Sequence, residues 1–223
     1  MLPTRLIDGY AAFLDGRFPR ESERYEKLAK EGQHPQTMVI GCCDSRVSPE
    51  VIFDVGPGEL FVVRNVANLV PPYAPDENYH GTSAALEFAV MALRVTDIVV
   101  LGHGRCGGIR AAVAEDSEPL SPGDFIGKWM GMIAPAIEEA GPRGGLSMAD
   151  YLTKLEHASV ATSLKNLRTF PCVRILEERG KLKLHGAFFG VATGVLSVLD
   201  EETGVFSPVF DRPGRVFDCA PVA

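Results

Sequence analysis

The sequence has no excess of positive charge and no long apolar run. Its 22 lysines and arginines are outnumbered by 29 aspartates and glutamates, which gives a net charge of −7 at pH 7. This sign disfavours nucleic acid and anionic membrane as partners, because both repel an acidic protein. No apolar run approaches the roughly 20 residues of a membrane helix, and residues 1–10 lack the apolar core of a signal peptide. We therefore expect a cytoplasmic protein that binds neither nucleic acid nor membrane.

Cysteine is scarce and irregularly spaced. The chain has five, an odd number without a repeating interval, at Cys42, Cys43, Cys106, Cys172 and Cys219. The pattern argues against a disulfide framework and favours reduced thiols, some of them bound to metal. The 223 residues suffice to bury a full core. Because no internal repeat and no linker divides the chain, we predict a single domain over residues 1–223.

Apolar stretches of strand length alternate with stretches of helical periodicity. We predict strands in five segments, at about 37–42, 60–64, 97–101, 181–189 and 195–199, the last pairing back as a hairpin. The continuous apolar run at 97–101 is typical of a parallel strand that is covered on both faces. The fold class is therefore α/β, with a mainly parallel β-sheet (four parallel strands plus a C-terminal antiparallel strand) flanked by helices.

Three helical regions bear on assembly and packing. Residues 1–34 read as an N-terminal helical arm of two helices linked at 15–19, too short to hold its own core, so it must pack on the main body or on a second subunit. Residues 82–94 are apolar nearly all round, which predicts burial in the chain or in a subunit interface. Ser147 and Asp150 form a capping-box signal for a long helix through about Leu167.

Two of the predicted strands end in residues that bind metals. Cys42 ends the first strand, and His103 and Cys106 follow the third, within the glycine-rich segment 102–108. Zinc binds Cys and His in a tetrahedron, and a catalytic site keeps one position open. Neighbouring strands lie ~4.8 Å apart, so two adjacent strand ends can supply all three ligands. We therefore predict a zinc site here, with the glycines allowing the backbone to bend and turn His103 and Cys106 inward.

Asp44 and Arg46 follow Cys42 and are two residues apart on an extended segment, so they share a face. One interpretation is a surface ion pair that contributes little. The other is a carboxylate that its own arginine holds beside the metal. Asp44 could also ligate the zinc and close the site, unless Arg46 holds it away.

A rival interpretation uses the same glycines. Residues 102–107 match G-x-G-x-x-G between a strand and a helix, the fingerprint of dinucleotide binding. The match is weak, because it follows the third strand and because His103 and Cys106 are bulky. An acidic residue about 20 positions further on is available only in the loop 115–124.

Together these motifs resemble the β-class carbonic anhydrases of the plant-like, bacterial type. The resemblance rests on Cys42-x-Asp44-Ser45-Arg46 and His103-x-x-Cys106-Gly107-Gly108, and it extends through 57–68, 81–82, 98–103 and 184–186. It implies zinc-dependent reversible hydration of CO₂ to bicarbonate and a proton, with zinc-bound hydroxide as the nucleophile. It also implies zinc on Cys42, His103 and Cys106, water or Asp44 as fourth ligand, and an Asp44–Arg46 dyad that orients the nucleophile.

The resemblance further implies a substrate pocket and an assembly. Gln33 matches a glutamine that donates a hydrogen bond to the substrate, Phe61 and Val66 match apolar walls, and Gly107 belongs to the same substrate-binding set. Apolar walls suit CO₂, which is small and apolar. The family implies an obligate homodimer, often a dimer of dimers (a homotetramer), with the active site at the interface and residues 1–34 packing on the partner.

The sequence also departs from relatives in the family. Members with a second, regulatory bicarbonate site carry a tryptophan, an arginine and a tyrosine, where this chain has Val39, Arg64 and Phe189. We predict that this site is absent and that Asp44 does not close the zinc at moderate pH. A histidine proposed as proton shuttle is replaced by Ala92. Two alternatives stay open: hydrolysis of COS or CS₂ on the same scaffold, and a non-catalytic zinc protein that senses bicarbonate or redox state.

Overall fold

A computed structural model describes residues 1–114 and 118–210, and a six-stranded sheet organises this part of the chain. The strands, in chain order, are β1 (Thr37–Cys42), β2 (Leu60–Asn65), β3 (Asp97–His103), β4 (Lys183–Phe189), β5 (Leu196–Asp200) and β6 (Val205–Pro208). Their spatial order is β2-β1-β3-β4-β5-β6. The first four run parallel, and β5 and β6 are antiparallel to their neighbours.

The α/β class, the four parallel strands and the hairpin strand β5 are confirmed. The sheet has one strand more than predicted, because β6 adds a second antiparallel strand at the C-terminal side. This strand has four residues, is mostly exposed and ends in proline. Such a short segment at a sheet edge carries no apolar alternation, so the sequence gives no periodic signal for it.

Helices cover the sheet and form the N-terminal arm. They are α1 (Thr4–Ala12), α2 (Phe18–Glu31), α3 (Pro49–Ile52), α4 (Gly81–Glu87), α5 (Gly107–Ala112), α6 (Phe125–Met130), α7 (Ala134–Ala140), α8 (Met148–Leu167) and α9 (Pro171–Glu178). Short 3₁₀ turns lie at Val66–Asn68 and Gly131–Ile133, and π-helical turns at Phe13–Arg17 and Phe88–Leu93. No helix within the described ranges is both long and apolar enough to cross a membrane.

The arm is more continuous than the sequence indicates. The predicted link at 15–19 is not a break, because the π-helical turn at Phe13–Arg17 joins α1 directly to α2. Pro19 falls in the first turn of α2, where proline removes no hydrogen bond that the helix needs. Arg24 of α2 donates to the Pro57 carbonyl oxygen (2.7 Å) and pairs with Glu59, whereas no residue of α1 is buried.

Helix α8 packs across the sheet and begins at the predicted capping box. The Asp150 N–H donates to Ser147 Oγ (3.1 Å), and the Ser147 hydroxyl donates to the Asp150 carboxylate (2.6 Å). On the buried face, a Cβ placed on Gly102 of β3 would lie 2.6 Å from Val160 Cγ2. Glycine at this position therefore lets α8 approach the carboxyl end of β3, the edge of the sheet where ligands bind in open α/β folds.

Candidate metal centre

Three potential metal ligands meet at the carboxyl ends of β1 and β3. Cys42 is the last residue of β1, His103 is the last of β3, and Cys106 immediately precedes α5. The two strands are neighbours, as the sequence argument required. One ligand atom from each residue lies within 4.8 Å of the other two, and all three side chains are buried.

The donor set fits a zinc ion. The Nδ1 atom of His103 lies 3.0 Å from the Gly104 carbonyl oxygen, which assigns the ring proton to Nδ1 and leaves Nε2 free to bind a metal. This Nε2 atom is buried without a hydrogen-bond partner among the described residues. Zinc ligands lie ~3.5 Å apart around the ion, so the two sulfurs and this nitrogen need only a small inward shift to share one.

The two thiols compete for one proton. The hydrogen bond from Cys106 lowers the pKa of Cys42 to about 4, with help from His103 and from the N–H groups of Asp44 and Ala67, both 3.4 Å from the sulfur. The pKa of Cys106 is raised above its usual range by the Cys42 thiolate and by burial. A bound cation removes this competition, because it stabilises both thiolates and releases the proton.

The guanidinium of Arg46 contacts both oxygens of the Asp44 carboxylate through a fork of two hydrogen bonds. Its Nε donates to Oδ1 (2.9 Å), its Nη2 to Oδ2 (2.7 Å) and its backbone N–H to Oδ1 (3.0 Å). This arginine holds the pKa of Asp44 far below its usual range. The Asp44 side chain is only 17% exposed, so the pair is more than a solvated surface contact. Asp44 does not join the cluster of the two thiols and the imidazole.

A second arginine fixes the backbone of the same segment. Arg64 of β2 donates through Nε to the Cys42 carbonyl oxygen (2.8 Å) and through Nη2 to that of Asp44 (2.7 Å). Val39 is buried in an apolar cluster with Phe189 packed against it. These two apolar side chains offer no hydrogen bond to an anion, and the absence of a second bicarbonate site stays a prediction.

The glycines of segment 102–108 act differently from what we predicted. The bend between His103 and Cys106 is made by Arg105, whose φ of 61° lies in the left-handed region, and none of the glycines there has a positive φ. Gly102 and Gly108 permit close packing instead: a Cβ would lie 2.6 Å from Val160 Cγ2 on Gly102 and 2.9 Å from Val66 Cγ1 on Gly108. The N–H of Gly104, the second glycine of the dinucleotide fingerprint, donates to the Phe189 carbonyl oxygen (3.0 Å), so this donor is not free to bind a phosphate.

Sequence reasoning missed Glu156 of α8. This side chain is buried, and its Oε1 accepts a hydrogen bond from the Cys106 N–H (2.9 Å). Its Oε2 has no partner among the described residues. Burial raises the pKa of this carboxyl even though the N–H lowers it. The only signal in the sequence was a carboxylate on the otherwise apolar and small-residue face of the predicted helix, next to Leu152 and Leu155.

The predicted substrate-binding residues fall into two groups. Val66 and Gly107 lie beside the cluster, because Val66 precedes Ala67, which contacts Cys42 Sγ, and Gly107 follows Cys106. Space is open around Gly107 at the position of a Cβ. Phe61 instead pairs with Met38. Met38 precedes Cys42 by four residues, so these two residues lie ~13 Å apart along β1.

Gln33 precedes the amino end of β1, whereas Cys42 is at its carboxyl end. It is exposed in the connection before β1, four residues from Thr37. Thr37, at the amino end of β1, is separated from Cys42, at its carboxyl end, by ~16 Å of strand. The strand register therefore separates Phe61 from the thiols of its own chain, and Gln33 lies before the amino end of the same strand.

An open cavity of about 800 Å³ adjoins Val66. Its lining is largely apolar and includes Val66, Phe125, Trp129 and Met132. Trp129 Nε1 donates to the Val66 carbonyl oxygen (2.8 Å), which fixes this wall. Cys43, predicted to be structural, is exposed and lines the same cavity. Cys43 and Cys172 are free thiols, and Cys219 lies outside the described residues.

Comparison with known proteins agrees with this geometry. The family model described as carbonic anhydrase matches residues 37–196. A carbonic anhydrase of Pseudomonas aeruginosa is 36% identical over 211 residues, which are 93% of this chain and 92% of that protein. The solved structure of the β-carbonic anhydrase CcaA superposes with a TM-score of 0.86 at 31% identity and covers 94% of this chain and 92% of its own.

A second solved structure is one of two tetrameric β-carbonic anhydrases from the ascomycete Sordaria macrospora. It has a TM-score of 0.73 at 27% identity, and the match covers 92% of this chain and 95% of that one. The chain therefore belongs to the carbonic anhydrase family of enzymes, in its β class.

Proposed function

We propose that this protein uses zinc to catalyse the reversible hydration of CO₂ to bicarbonate and a proton. The observation that carries the proposal is the buried Cys42–His103–Cys106 cluster with the Asp44–Arg46 fork beside it, in a chain of the β-carbonic anhydrase family. The cluster offers three ligands and the carboxylate next to it is held by its own arginine, which leaves a fourth position for reactants.

Each residue of the site has a separate task in this proposal. Bound zinc supplies Lewis acidity, which lowers the pKa of a water molecule, as is general for carbonic anhydrases. Two thiolates would cancel the charge of the ion, so a hydrogen bond from that water to a carboxylate matters more here than beside three neutral imidazoles. Asp44 provides the acceptor, and the fork from Arg46 keeps it ionised and orients it. Val66 and Gly107 border the space in which CO₂ would lie.

The same arginine argues for an open site at moderate pH. Both oxygens of Asp44 are engaged by Arg46, whose Nη2 also donates to the Arg105 carbonyl oxygen (3.1 Å). For Asp44 to become the fourth ligand, it would have to leave charge-assisted hydrogen bonds, which are about twice as strong as neutral ones. The arrangement thus opposes closure.

A second copy of the chain would complete the pocket. Gln33 and Phe61 lie toward the amino end of β1, whereas Cys42 lies at its carboxyl end, so we propose that they serve the site of a partner subunit. Apolar side chains exposed in the single chain support an interface: Leu6, Ile7 and Tyr10 on α1, and Phe88 and Met91 on the π-helical turn after α4, where Phe88 packs on Phe61 of β2. The tetrameric relative is in keeping with a homodimer or a dimer of dimers for this chain.

The chemistry of the thiols also bears on the cellular compartment in which the protein would work. The thiols of the cluster bind metal only while reduced, so a reducing compartment such as the cytoplasm suits the site. This location is proposed together with the function.

Substrate preference distinguishes the proposed CO₂ hydration from the two alternative functions. Initial rates would be measured for the zinc-loaded protein with CO₂, COS and CS₂ at equal concentration, with CO₂ hydration followed by a pH indicator in stopped flow. We expect fast turnover of CO₂ and far slower turnover of the sulfur analogues. Faster turnover of COS or CS₂ would assign the scaffold to those substrates. Bound zinc without turnover of any of the three would favour a sensing protein.

A further inference from the structure

Glu156 is a buried carboxylate that the proposed chemistry does not use. It lies on α8 with 4% of its surface exposed, and no arginine or lysine forms an ion pair with it among the described residues. Burial of a carboxylate without an ion-pair partner is costly and needs a compensating interaction. The hydrogen bond from the Cys106 N–H to Oε1 is the one that the structure shows.

This hydrogen bond acts on a strained part of the backbone. Arg105, directly before Cys106, adopts a left-handed conformation with φ of 61°, which is unfavourable for a residue with a side chain. The bend is held from two directions. Arg46 Nη2 donates to the Arg105 carbonyl oxygen (3.1 Å), and Glu156 accepts from the N–H of Cys106 (2.9 Å). The two ends of the bend carry His103 and Cys106.

We propose that Glu156 is a positioning residue of the metal centre, which holds the 103–106 bend in the conformation that points His103 and Cys106 toward Cys42. The inference rests on the metal site of the proposed function and not on its substrate. Helix α8 provides a rigid support for this contact, because Val160, one turn further on, is buried against Gly102 of β3. Hydrogen bonds to the residues that ligate a metal are a common way to orient its site.

The contact requires one acceptor and not a charge. Only Oε1 is engaged, and Oε2 has no partner among the described residues. A glutamine can supply the same acceptor in the same space. Alanine and leucine cannot, and both leave the Cys106 N–H buried without an acceptor, which disfavours the native bend.

Zinc affinity is the readout that a merely structural role would not change. Glu156→Ala, Glu156→Leu and Glu156→Gln would each be loaded with zinc and challenged with a chromogenic zinc chelator. We expect the Ala and Leu variants to bind zinc ~10–100-fold more weakly than wild type and the Gln variant to recover most of the affinity. Ser159→Ala is the matched control, because Ser159 is buried on the same helix and its hydroxyl has no partner among the described residues.

Thermal unfolding of the metal-free forms separates positioning from folding. Weaker zinc binding by the Leu variant at an unchanged unfolding temperature supports the proposal even if the Ala variant does not fold. Wild-type zinc affinity in the Leu variant would overturn it, as would a Gln variant as weak as Leu or an equal loss in Ser159→Ala. If wild type binds zinc but does not hydrate CO₂, the proposed function fails while the comparison of affinities still decides the role of Glu156.

Discussion

Asp44 shows how much a single side chain depends on its local partners. Its carboxylate accepts three hydrogen bonds from Arg46, and its carbonyl oxygen accepts one from Arg64. Arg46 and Asp44 could be paired from the sequence, because residues two apart on an extended segment share a face. The contribution of Arg64 could not be foreseen in this way, because it depends on the register between β1 and β2.

The Asp44–Arg46 pair makes a testable contribution to stability. Because the folded state lowers the pKa of Asp44 below its unfolded value of ~3.9, the contribution is fully present above pH ~3.9 and is lost as pH falls through the folded pKa. We expect the free energy of unfolding of metal-free wild type to exceed that of Asp44→Asn by ~1 kcal/mol near pH 6. The difference is modest because solvent screens the half-exposed Arg46.

Urea unfolding of both proteins between pH 3 and pH 7, at equal protein concentration, measures this difference. The gap should narrow as the pH falls below ~3.9. A gap that widens in acid, or that is independent of pH, would show that Arg46 does not hold the ionised carboxylate.

At the scale of the element, the contact between α8 and β3 supports the metal centre. A Cβ on Gly102 would lie 2.6 Å from Val160 Cγ2, closer than real contacts allow. We expect Gly102→Ala to lower the free energy of unfolding by ~1–3 kcal/mol through overpacking, and Val160→Ala in the same chain to restore part of it. Chemical denaturation of the metal-free proteins measures both effects.

Gly131 supplies the control for that substitution. A Cβ there would meet no atom within 4 Å, and its φ of −54° is helical. Gly131→Ala should therefore be neutral or slightly stabilising. If Gly102→Ala were equally harmless, the close packing of α8 on β3 would not be what requires a glycine at 102.

The elements that could be predicted are those whose signal is local. The parallel strands follow from continuous apolar runs, and the start of α8 follows from the Ser147–Asp150 capping box. The left-handed bend at Arg105 and the contact of Glu156 depend on partners more than 40 residues away in the chain. No periodicity of the sequence encodes such contacts. For this reason we predicted that the glycines make the bend, whereas in the structure Arg105 makes it.

At the scale of the whole molecule, the predicted pocket is divided between two ends of the sheet. Val66 and Gly107 adjoin the cluster, whereas Phe61 pairs with Met38, ~13 Å along β1 from Cys42, and Gln33 precedes the amino end of β1. The sequence could identify these residues only through a resemblance, because their spacing does not indicate which of them would share a site. A homodimer that joins the two groups is the simplest assembly consistent with the exposed apolar side chains of the arm.

Subunit complementation tests this arrangement. Gln33→Ala and Cys42→Ser are each expected to be impaired in hydration. In a mixed dimer, the intact cluster of the Gln33→Ala chain would meet the intact Gln33 of its partner. We therefore expect co-refolded mixtures to exceed the sum of the separate activities.

The double variant Gln33→Ala/Cys42→Ser refolded with wild type is the control, and it should show no such gain. Activity of the first mixture equal to the sum of its parts would place Gln33 at the site of its own chain or outside any site.

The central claim is that Cys42, His103 and Cys106 hold a zinc ion at which CO₂ is hydrated. Its most direct test is stopped-flow hydration at about pH 8.5, where a lowered water pKa would supply the nucleophile, with zinc content assayed on the same samples of wild type, Cys42→Ser and Cys172→Ser. Cys172 is a free, half-buried thiol on α9 and serves as the matched control. We predict zinc and fast hydration in wild type and Cys172→Ser, and the loss of both in Cys42→Ser. A wild-type protein without zinc, or a Cys42→Ser variant that keeps both metal and activity, would contradict the claim.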